Sequence, residues 1–231
     1  MENRHRYESL YRFSPKLYDT AYIMKNRTLN TIYKIKNRKY ISEPVISTEY
    51  KHEFDRIMSK IGTYNPNTST AISPSAAAYL YALVRRLKPD IFLETGISHG
   101  FSSLLILTAM EKNNKGTLFS TEIGKNVGDL VPLELRKRWK IIIDTPDKVL
   151  DKAIRIIADK RIDIFMHDSD HSYNGMIREF NLVRDRMSVN GIVLSDDIEE
   201  NNAFTDFARS VGSEPEIISS YKCFGVIRLN R

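Results

Sequence analysis

From Lys88 onward, short apolar runs alternate with segments of helical pattern, and this alternation limits the possible folds more than any other feature. The seven runs predicted to be strands are Ile91–Glu94, Thr117–Glu122, Lys140–Ile143, Ile162–Met166, Ile192–Ser195, Glu216–Ser219 and Gly225–Leu229. Most are continuously apolar, which is typical of parallel strands covered on both faces. The last two are too close in sequence for a helical crossover and should pair antiparallel. The sequence therefore predicts an α/β protein with a doubly wound sheet of seven strands, mostly parallel, with one antiparallel strand near the C-terminus.

The segments between the strands and before them indicate helices. Those expected between the strands are Ser102–Lys112, Val131–Arg138, Lys148–Asp159, Tyr173–Met187 and Ala203–Val211. Another is expected over Pro74–Leu87, because Ser73 is a favourable N-cap and proline suits the first helical position. Residues 1–68 are rich in tyrosine and basic side chains at three- and four-residue steps, which indicate short amphipathic helices. We therefore expect a helical N-terminal extension at 1–68 and an α/β domain at 69–231.

Charge and composition exclude some classes of protein. Residues 1–60 contain 13 Lys and Arg against 7 Asp and Glu, so they carry the whole net charge of +6. This segment suits an anionic partner or, equally, a solvated helical face. No apolar run approaches the roughly 18 residues of a membrane span, and the N-terminus leads into no signal core. The single cysteine, Cys223, excludes an internal disulfide and a cysteine-based zinc site. A cytoplasmic protein with no membrane partner is expected.

A glycine turn follows the first strand of the α/β domain. Gly96 and Gly100 lie between the apolar run that ends at Glu94 and the helix that begins near Ser102. A turn of this kind, followed by a helix N-terminus, can hold a polar or charged group of a ligand. The alternative is that the two glycines only let the strand turn tightly into the helix.

The second strand ends at Glu122, which lies 22 residues beyond Gly100. An acid at about this distance from a glycine turn accepts hydrogen bonds from the two hydroxyls of a ribose in nucleotide-binding folds. A surface carboxylate at the end of a strand is the alternative. Together, the glycine turn and Glu122 favour a nucleoside-containing cofactor.

Acidic residues also follow the fourth and fifth strands. Asp168 and Asp170 come after one, and Asp196 and Asp197 after the other. Carboxylates gathered at one edge of a sheet repel each other unless some are protonated or a cation lies among them. Oxygens from Asp168, Asp196 and Asp197 would suit a hard divalent ion such as Mg²⁺. The alternative is that single members, Asp170 or Asp197, cap the helices that follow.

His171 is the candidate general base. It lies three residues after Asp168, and a neutral imidazole there could take a proton from a hydroxyl of a substrate. A histidine that only bonds a neighbouring loop is the alternative. Asp168 and His171 are therefore the predicted catalytic residues.

These segments resemble a known family. Four parts of the sequence are similar to the class I S-adenosylmethionine-dependent methyltransferases, namely Leu93–Ser102, Glu122, Asp163–Tyr173 and Gly191–Asp197. Within that class they resemble the cation-dependent O-methyltransferases, such as those acting on catechol, caffeoyl-CoA and macrolide sugars. The resemblance covers the chain from about Ser69 onward and implies a Rossmann-like methyltransferase domain at 69–231.

The resemblance implies a role for each position that matches. The methionine end of S-adenosyl-L-methionine would be held by Glu94, Gly96 and Ser102. Its ribose would be bound by Glu122, and its adenine would lie against the turn from Asp144 to Asp147. The full set expected to bind the cofactor is Glu94, Gly96, Ser98, Gly100, Ser102, Glu122, Ile123, Thr145, Asp147 and Asp168. Asp168, Asp196 and Asp197 would hold Mg²⁺ or another divalent cation. The catechol-type enzymes have a catalytic lysine where this chain has His171, so the base remains a hypothesis.

The resulting prediction is methyl transfer from S-adenosyl-L-methionine to a hydroxyl of a small molecule, with a requirement for Mg²⁺. The alternative is an RNA-directed methyltransferase or RNA-binding protein that uses the basic, tyrosine-rich N-terminus, where tyrosines would stack on bases. A nicotinamide dehydrogenase is disfavoured, because Gly-x-Gly-x-x-Gly is absent. Residues 1–68 match no known segment, and we expect them to form a lid over the acceptor pocket or a homodimer contact.

Overall fold

The computed structural model describes residues 28–42, 47–61, 72–219 and 222–229. Its helices are α1 (28–36), α2 (Thr48–Ile61), α3 (Pro74–Leu87), α4 (Phe101–Asn113), α5 (Val149–Ile157), α6 (Tyr173–Arg184) and α7 (Ala203–Ser210). Its strands are β1 (Ile41–Ser42), β2 (Ile91–Thr95), β3 (Thr117–Glu122), β4 (Trp139–Ile143), β5 (Ile162–His167), β6 (Met187–Ser195), β7 (Glu216–Ser219) and β8 (Cys223–Arg228). Three short 3₁₀ helices lie at Arg38–Tyr40, Leu133–Arg138 and Ile198–Glu200.

The strands form one sheet in the order β1-β7-β8-β6-β5-β2-β3-β4. The five strands β2 to β6 pair parallel with one another, whereas β8 runs antiparallel to both β6 and β7. This confirms the α/β class, the mostly parallel sheet and the antiparallel strand near the C-terminus. The sheet has eight strands and not the predicted seven, because Ile41 and Ser42 pair parallel with β7. A strand of two residues is too short to show a period in the sequence.

Local sequence explains where α3 and α4 begin and end. Ser73 caps α3, its hydroxyl accepting a bond from the amide of Ala76, and Lys88 ends the helix in the left-handed conformation. Gly100, also left-handed, precedes the first residue of α4. The helix predicted at Val131–Arg138 is instead a 3₁₀ segment that begins after Pro132. There the guanidinium of Arg136 donates to the carbonyls of Val131 and Gly128, so this turn is closed partly by side-chain bonds.

Two apolar cores cover the two faces of the sheet. Consecutive strand residues contribute to opposite faces, as Phe92 and Leu93 do. The first core lies against α3 and α4, and the second against α5, α6 and α7. Phe54 of α2 joins the first core and Tyr33 of α1 joins the second. No helix in the described ranges is long and apolar enough to cross a membrane. The domain boundary near residue 68 stays a prediction.

Candidate active site

The carboxyl ends of β2, β3 and β5 open into a cavity of about 560 Å³. This is where open α/β sheets bind their ligands. One wall, here called the nucleoside half, is formed by the glycine turn 96–100 and the end of β3. Another wall, the acceptor half, is formed by polar residues that follow β5 and β6 and precede β8, namely Asp168, His171, Asp197 and Lys222. Asp196 belongs to the same group of charges, because it is paired with Lys222, but it lies just outside the lining.

The glycine turn is held in a conformation that only glycine tolerates at Gly96. Gly96 has a φ of +84°, and a Cβ there would lie 1.9 Å from the carbonyl oxygen of Asp168. The two segments are fastened together, because the amide of Asp168 donates to the carbonyl of Thr95 at 2.9 Å. Gly100 has a φ of +82°, and a Cβ there would lie 2.9 Å from the Cα of Gly128. The turn is therefore packed too closely against neighbouring backbone to accept a side chain at either glycine.

Glu122 ties this turn to the end of β3. Its Oε2 accepts hydrogen bonds from the amides of Ile97 and Ser98, at 3.0 and 3.1 Å. Its Oε1 accepts from the amides of Ile123 and Gly124, at 2.7 and 3.3 Å. Burial favours the neutral acid, but the four amides outweigh it and hold the pKa of Glu122 below its ordinary value. The carboxylate is thus a fixed negative charge at the wall of the nucleoside half.

Glu94 lies beneath the turn and not among the residues that line the cavity. It is fully buried and accepts hydrogen bonds from the hydroxyls of Ser102, Ser103 and Ser120. The indole of Trp139 donates to the same Ser120 hydroxyl at 2.9 Å. Burial raises the pKa of Glu94 to about 7, against the lowering effect of the three hydroxyls. In this structure Glu94 holds together the start of α4 and the neighbouring strands.

The turn predicted to line the adenine follows β4. Pro146 lines the cavity, while Thr145 and Asp147 lie next to it in sequence. Arg178 of α6 fastens this turn, because its guanidinium donates to the carbonyls of Pro146 and Asp147 at 3.1 and 2.6 Å. The sequence analysis did not identify Arg178, since its partners are backbone carbonyls 31 and 32 residues away.

A second acid, Glu179, is partly buried and also lines the cavity. Glu179 of α6 accepts hydrogen bonds from the hydroxyls of Thr95 and Ser169, at 2.7 and 2.8 Å. It also lies 2.8 Å from Nδ1 of His167, which is wholly buried. Burial alone would raise the pKa of Glu179, yet His167 and the two hydroxyls lower it overall. Glu179 therefore joins the ends of β2 and β5 and is itself part of the cavity lining.

The acceptor half concentrates charge. His171 Nε2 lies 3.6 Å from Oδ1 of Asp168. Lys222 Nζ lies 3.2 Å from Oδ2 of Asp196 and 3.0 Å from Asp197. Asp168 and His171 are partly exposed to the cavity, whereas Asp196, Asp197 and Lys222 are buried. The structure therefore brings all the predicted acids of this wall to one place, together with a lysine that was not predicted.

The charged groups of the acceptor half shift the pKa values of His171 and Asp196. Burial lowers the pKa of His171, but Asp168, Asp197 and Asp196 raise it to about 9 overall. The imidazole is consequently protonated near pH 7, not neutral as the role of general base requires. Burial raises the pKa of Asp196 well above its ordinary value; Asp197 and Asp168 act in the same direction, and Lys222 opposes them.

Comparison with known proteins agrees with this geometry. Residues 93–198 match the family model described as a methyltransferase domain, and these residues include the glycine turn, Glu122, and the acids after β5 and β6. Residues 93–198 therefore form a methyltransferase domain. The nucleoside half is where the S-adenosylmethionine predicted from the sequence would bind. No curated protein sequence matches the chain significantly.

Solved structures share the fold of this methyltransferase. An O-methyltransferase from Bacillus cereus in complex with SAH is 12% identical, with a TM-score of 0.57 over 81% of this chain and 93% of that one. The O-methyltransferase TomG from Streptomyces achromogenes, in complex with SAM, is 13% identical, with a TM-score of 0.57 over 84% and 99%. An SAH-bound methyltransferase from Podospora anserina is 15% identical, with a TM-score of 0.56 over 80% and 89%.

The methyltransferase places most of the predicted site residues around its cavity. Those that line it are Gly96, Ser98, Gly100, Ser102, Glu122, Ile123, Asp168, His171 and Asp197. Four predicted residues lie outside the lining of the cavity, namely Glu94, Thr145, Asp147 and Asp196. Each of them is either adjacent in sequence or bonded to a residue that lines the cavity. Their roles in binding stay predictions.

The predicted metal ligands do not fit a divalent ion in this arrangement. Two of the three carboxylates, those of Asp196 and Asp197, already share the ammonium of Lys222. Three acidic oxygens, Oδ1 of Asp196, Oδ1 of Asp197 and Oε1 of Glu199, are buried without a hydrogen-bond partner in the described part of the chain, and that of Asp197 lies 3.0 Å from the ammonium of Lys222. Among the residues that the structure describes, no group of three His, Cys, Asp or Glu side chains is arranged to hold a metal. The metal site therefore stays a prediction without structural support.

Lys222 was missed because nothing near it in sequence marks it as part of a site. Its position follows from topology: β8 runs antiparallel to β6, and Gly225 pairs with Ser195. The residues before β8 must therefore lie beyond the end of β6, next to Asp196. The predicted antiparallel pairing of the last strand was the one signal that could have led to Lys222.

Proposed function

We propose that this methyltransferase acts on oxygen, transferring the methyl group of S-adenosylmethionine to a hydroxyl of a small molecule such as a sugar, a natural product or a catechol-like compound. The observation that carries the proposal is that one cavity contains both the nucleoside half and the charged acceptor half. A cofactor held on one wall would point its sulfonium methyl toward polar groups that suit a hydroxyl. The printed names of two structural neighbours, from Bacillus cereus and Streptomyces achromogenes, describe O-methyltransferases.

The reaction is a single displacement. An oxygen lone pair of the acceptor attacks the methyl carbon, the new O–CH₃ bond forms as the S–CH₃ bond breaks, and the electron pair of that bond goes to sulfur. The sulfonium becomes a neutral thioether, and the hydroxyl proton leaves the acceptor. Most of the rate gain would come from holding oxygen, carbon and sulfur in line.

Asp168 and His171 would receive and position the acceptor hydroxyl. Both line the cavity, and Asp168 also contacts the glycine turn through its backbone, so it lies where the two halves meet. The carboxylate can accept the hydrogen bond of the hydroxyl, and the imidazolium of His171, 3.6 Å away, balances its charge. Because His171 is protonated near neutral pH, we assign proton acceptance to the Asp168–His171 pair and not to a free imidazole.

The metal part of the prediction supplies no step here, because the carboxylates that would hold a divalent ion are paired with Lys222. The RNA-directed alternative gains no support from the structure or its relatives. Its tyrosine-rich segment lies mostly outside the described residues. The lid or dimer role of residues 1–68 remains a proposal, tested by deleting residues 1–60: a lid predicts a higher acceptor KM with little change in cofactor affinity.

Binding and transfer can be tested in sequence. Calorimetric titration with S-adenosylmethionine and S-adenosylhomocysteine should give binding, with Glu122→Gln weaker than wild type. Transfer is then measured from methyl-labelled cofactor to acceptor pairs that differ only in hydroxyl or amine, such as catechol and 1,2-diaminobenzene. Transfer confined to the hydroxyl members would support the proposal. Transfer confined to the amine members would refute it.

A further inference from the structure

The start of β8 delivers a lysine into the acceptor half. Lys222 is only 4% exposed, and it is nevertheless among the residues that line the cavity. Its ammonium is 3.0 Å from Asp197 and 3.2 Å from Asp196. The side chains of all three are less than a tenth exposed. A cation, two carboxylates and the cavity wall therefore meet in a region with little access to water.

Electrostatics explains why a cation belongs there. Adjacent carboxylates repel each other strongly when water is excluded, and a buried charge is tolerated only if it is paired. The ammonium pairs with both carboxylates at once. It therefore engages two of the three acids, Asp168, Asp196 and Asp197, among which the sequence analysis placed a divalent metal.

The backbone holds the lysine in place. The amide of Cys223 donates to Oε2 of Glu199 at 3.0 Å, in the 3₁₀ turn that follows Asp197. The thiol of Cys223 contacts Oδ1 of Asn30 at 3.3 Å. Asp197 itself adopts the left-handed conformation, with a φ of 49°, which turns the chain back toward β8. These contacts fix the backbone next to Lys222 at the edge of the acceptor half.

A divalent ion could enter only by displacing the ammonium. Mg²⁺ and Ca²⁺ need several oxygens at about 2.0–2.6 Å, and the carboxylates of Asp196 and Asp197 are engaged by Lys222. If the lysine stayed, its positive charge would lie beside the ion in a poorly screened region, where like charges repel most strongly.

We infer that Lys222 is the resident cation of this site and that its ammonium takes the place of a divalent metal. The methyltransferase then needs no added metal. The inference rests on the proposed function for its catalytic consequence: the fixed positive charge lies near the acceptor oxygen as that oxygen loses its proton. Exclusion of metal by the lysine is a property of the protein alone and is measurable without a substrate.

The experiment measures Mn²⁺ binding by electron paramagnetic resonance, on protein freed of metal with chelator. Four proteins are compared: wild type, Lys222→Met, Lys222→Arg and Lys152→Met. Lys152 is the matched control, because it pairs with Asp144 at 2.9 Å at the same edge of the sheet but is partly exposed. We expect no Mn²⁺ binding at concentrations up to about 1 mM in wild type, Lys222→Arg and Lys152→Met. Lys222→Met alone should gain a site at least tenfold tighter.

Mn²⁺ binding by the wild type that is lost in Asp196→Asn and Asp197→Asn would overturn the inference. So would a Lys222→Met variant with a native circular dichroism spectrum that binds no Mn²⁺. If Lys222→Met does not fold, the wild-type measurement decides alone, absence of binding supporting the inference and binding overturning it. A measurement of methyl transfer distinguishes the inference about Lys222 from the proposed function. Transfer that persists in excess chelator supports both the inference and the proposed function. Transfer that requires Mn²⁺ or Mg²⁺ overturns only the inference about Lys222.

Discussion

The two halves of the cavity are built in different ways. The nucleoside half is made of backbone from a few neighbouring residues, with Glu122 accepting four amide hydrogen bonds from residues 97, 98, 123 and 124. The acceptor half is made of side chains that come from three separate segments, after β5, after β6 and before β8. The nucleoside half depends on local conformation, and the acceptor half depends on the pairing of distant strands.

This difference teaches where function can change most easily. A backbone turn that tolerates only glycine presents the same amides whatever the substrate, so it suits an invariant cofactor. Side chains at strand ends can be exchanged while the strands stay in place. The acceptor half can therefore change its cation or its acceptor specificity without any change to the nucleoside half.

The largest effect is expected from Gly96→Ala. The added methyl group would lie 1.9 Å from the carbonyl oxygen of Asp168, on a backbone that already has a φ of +84°. We expect a loss of about 4 kcal/mol in the free energy of unfolding and no measurable binding of S-adenosylmethionine. Urea denaturation and calorimetry check both. Gly212→Ala is the control, because its φ is +69° but no atom lies within 4 Å, and it should lose only about 1 kcal/mol.

Lys222→Met should show that the acceptor half is held by charge. Breaking a buried ion pair leaves uncompensated acids, and we expect the free energy of unfolding to fall by about 3 kcal/mol at pH 7. Lys152→Met removes an ion pair that is partly exposed and should cost less than about 1 kcal/mol. Equal losses in the two variants, measured by denaturant titration, would contradict the view that Lys222 compensates a buried acidic pair.

Glu94 should give the nucleoside half a pH-dependent stability. Its pKa is raised to about 7 in the folded protein, above the ordinary value of 4.5, so the folded state retains the proton longer than the unfolded chain. Stability from this group is therefore complete below pH 4.5 and is lost as the pH rises to 7, by about 3 kcal/mol. Glu94→Gln should flatten the slope of unfolding free energy between pH 5 and 8. Parallel slopes for the two proteins would show that Glu94 does not carry this effect.

The smallest effect is expected for Glu122→Gln. The amide side chain keeps an acceptor oxygen but loses the negative charge toward which the amides of Ile97 and Ser98 point. We expect about tenfold weaker binding of S-adenosylmethionine, or about 1.4 kcal/mol, measured by calorimetry. The thermal stability should also fall somewhat, because the amide nitrogen of glutamine cannot accept the hydrogen bonds that two of the four backbone amides now donate. Unchanged affinity would mean that Glu122 only shapes the turn and does not contact the cofactor.

Sequence reasoning worked where one segment specifies its own structure. The β2 turn, the helix that follows it and the end of β3 could be predicted because apolar runs and glycines mark them locally. The acids after β5 and β6 could be placed at one edge because parallel strands end together. Lys222 could not be placed without the register of β8 against β6. The buried position of Glu94 depends on hydroxyls from Ser103 and Ser120, which a motif does not reveal.

The pairing of Ile41 and Ser42 with β7 has a consequence for folding. A contact between residues about 175 positions apart carries a large loop-closure entropy, so this edge of the sheet should form last. Until then β7 presents unpaired amides and carbonyls, to which another polypeptide can add a strand. Newly made protein should therefore be most prone to aggregate in the interval between completion of the central sheet and the arrival of this two-residue strand.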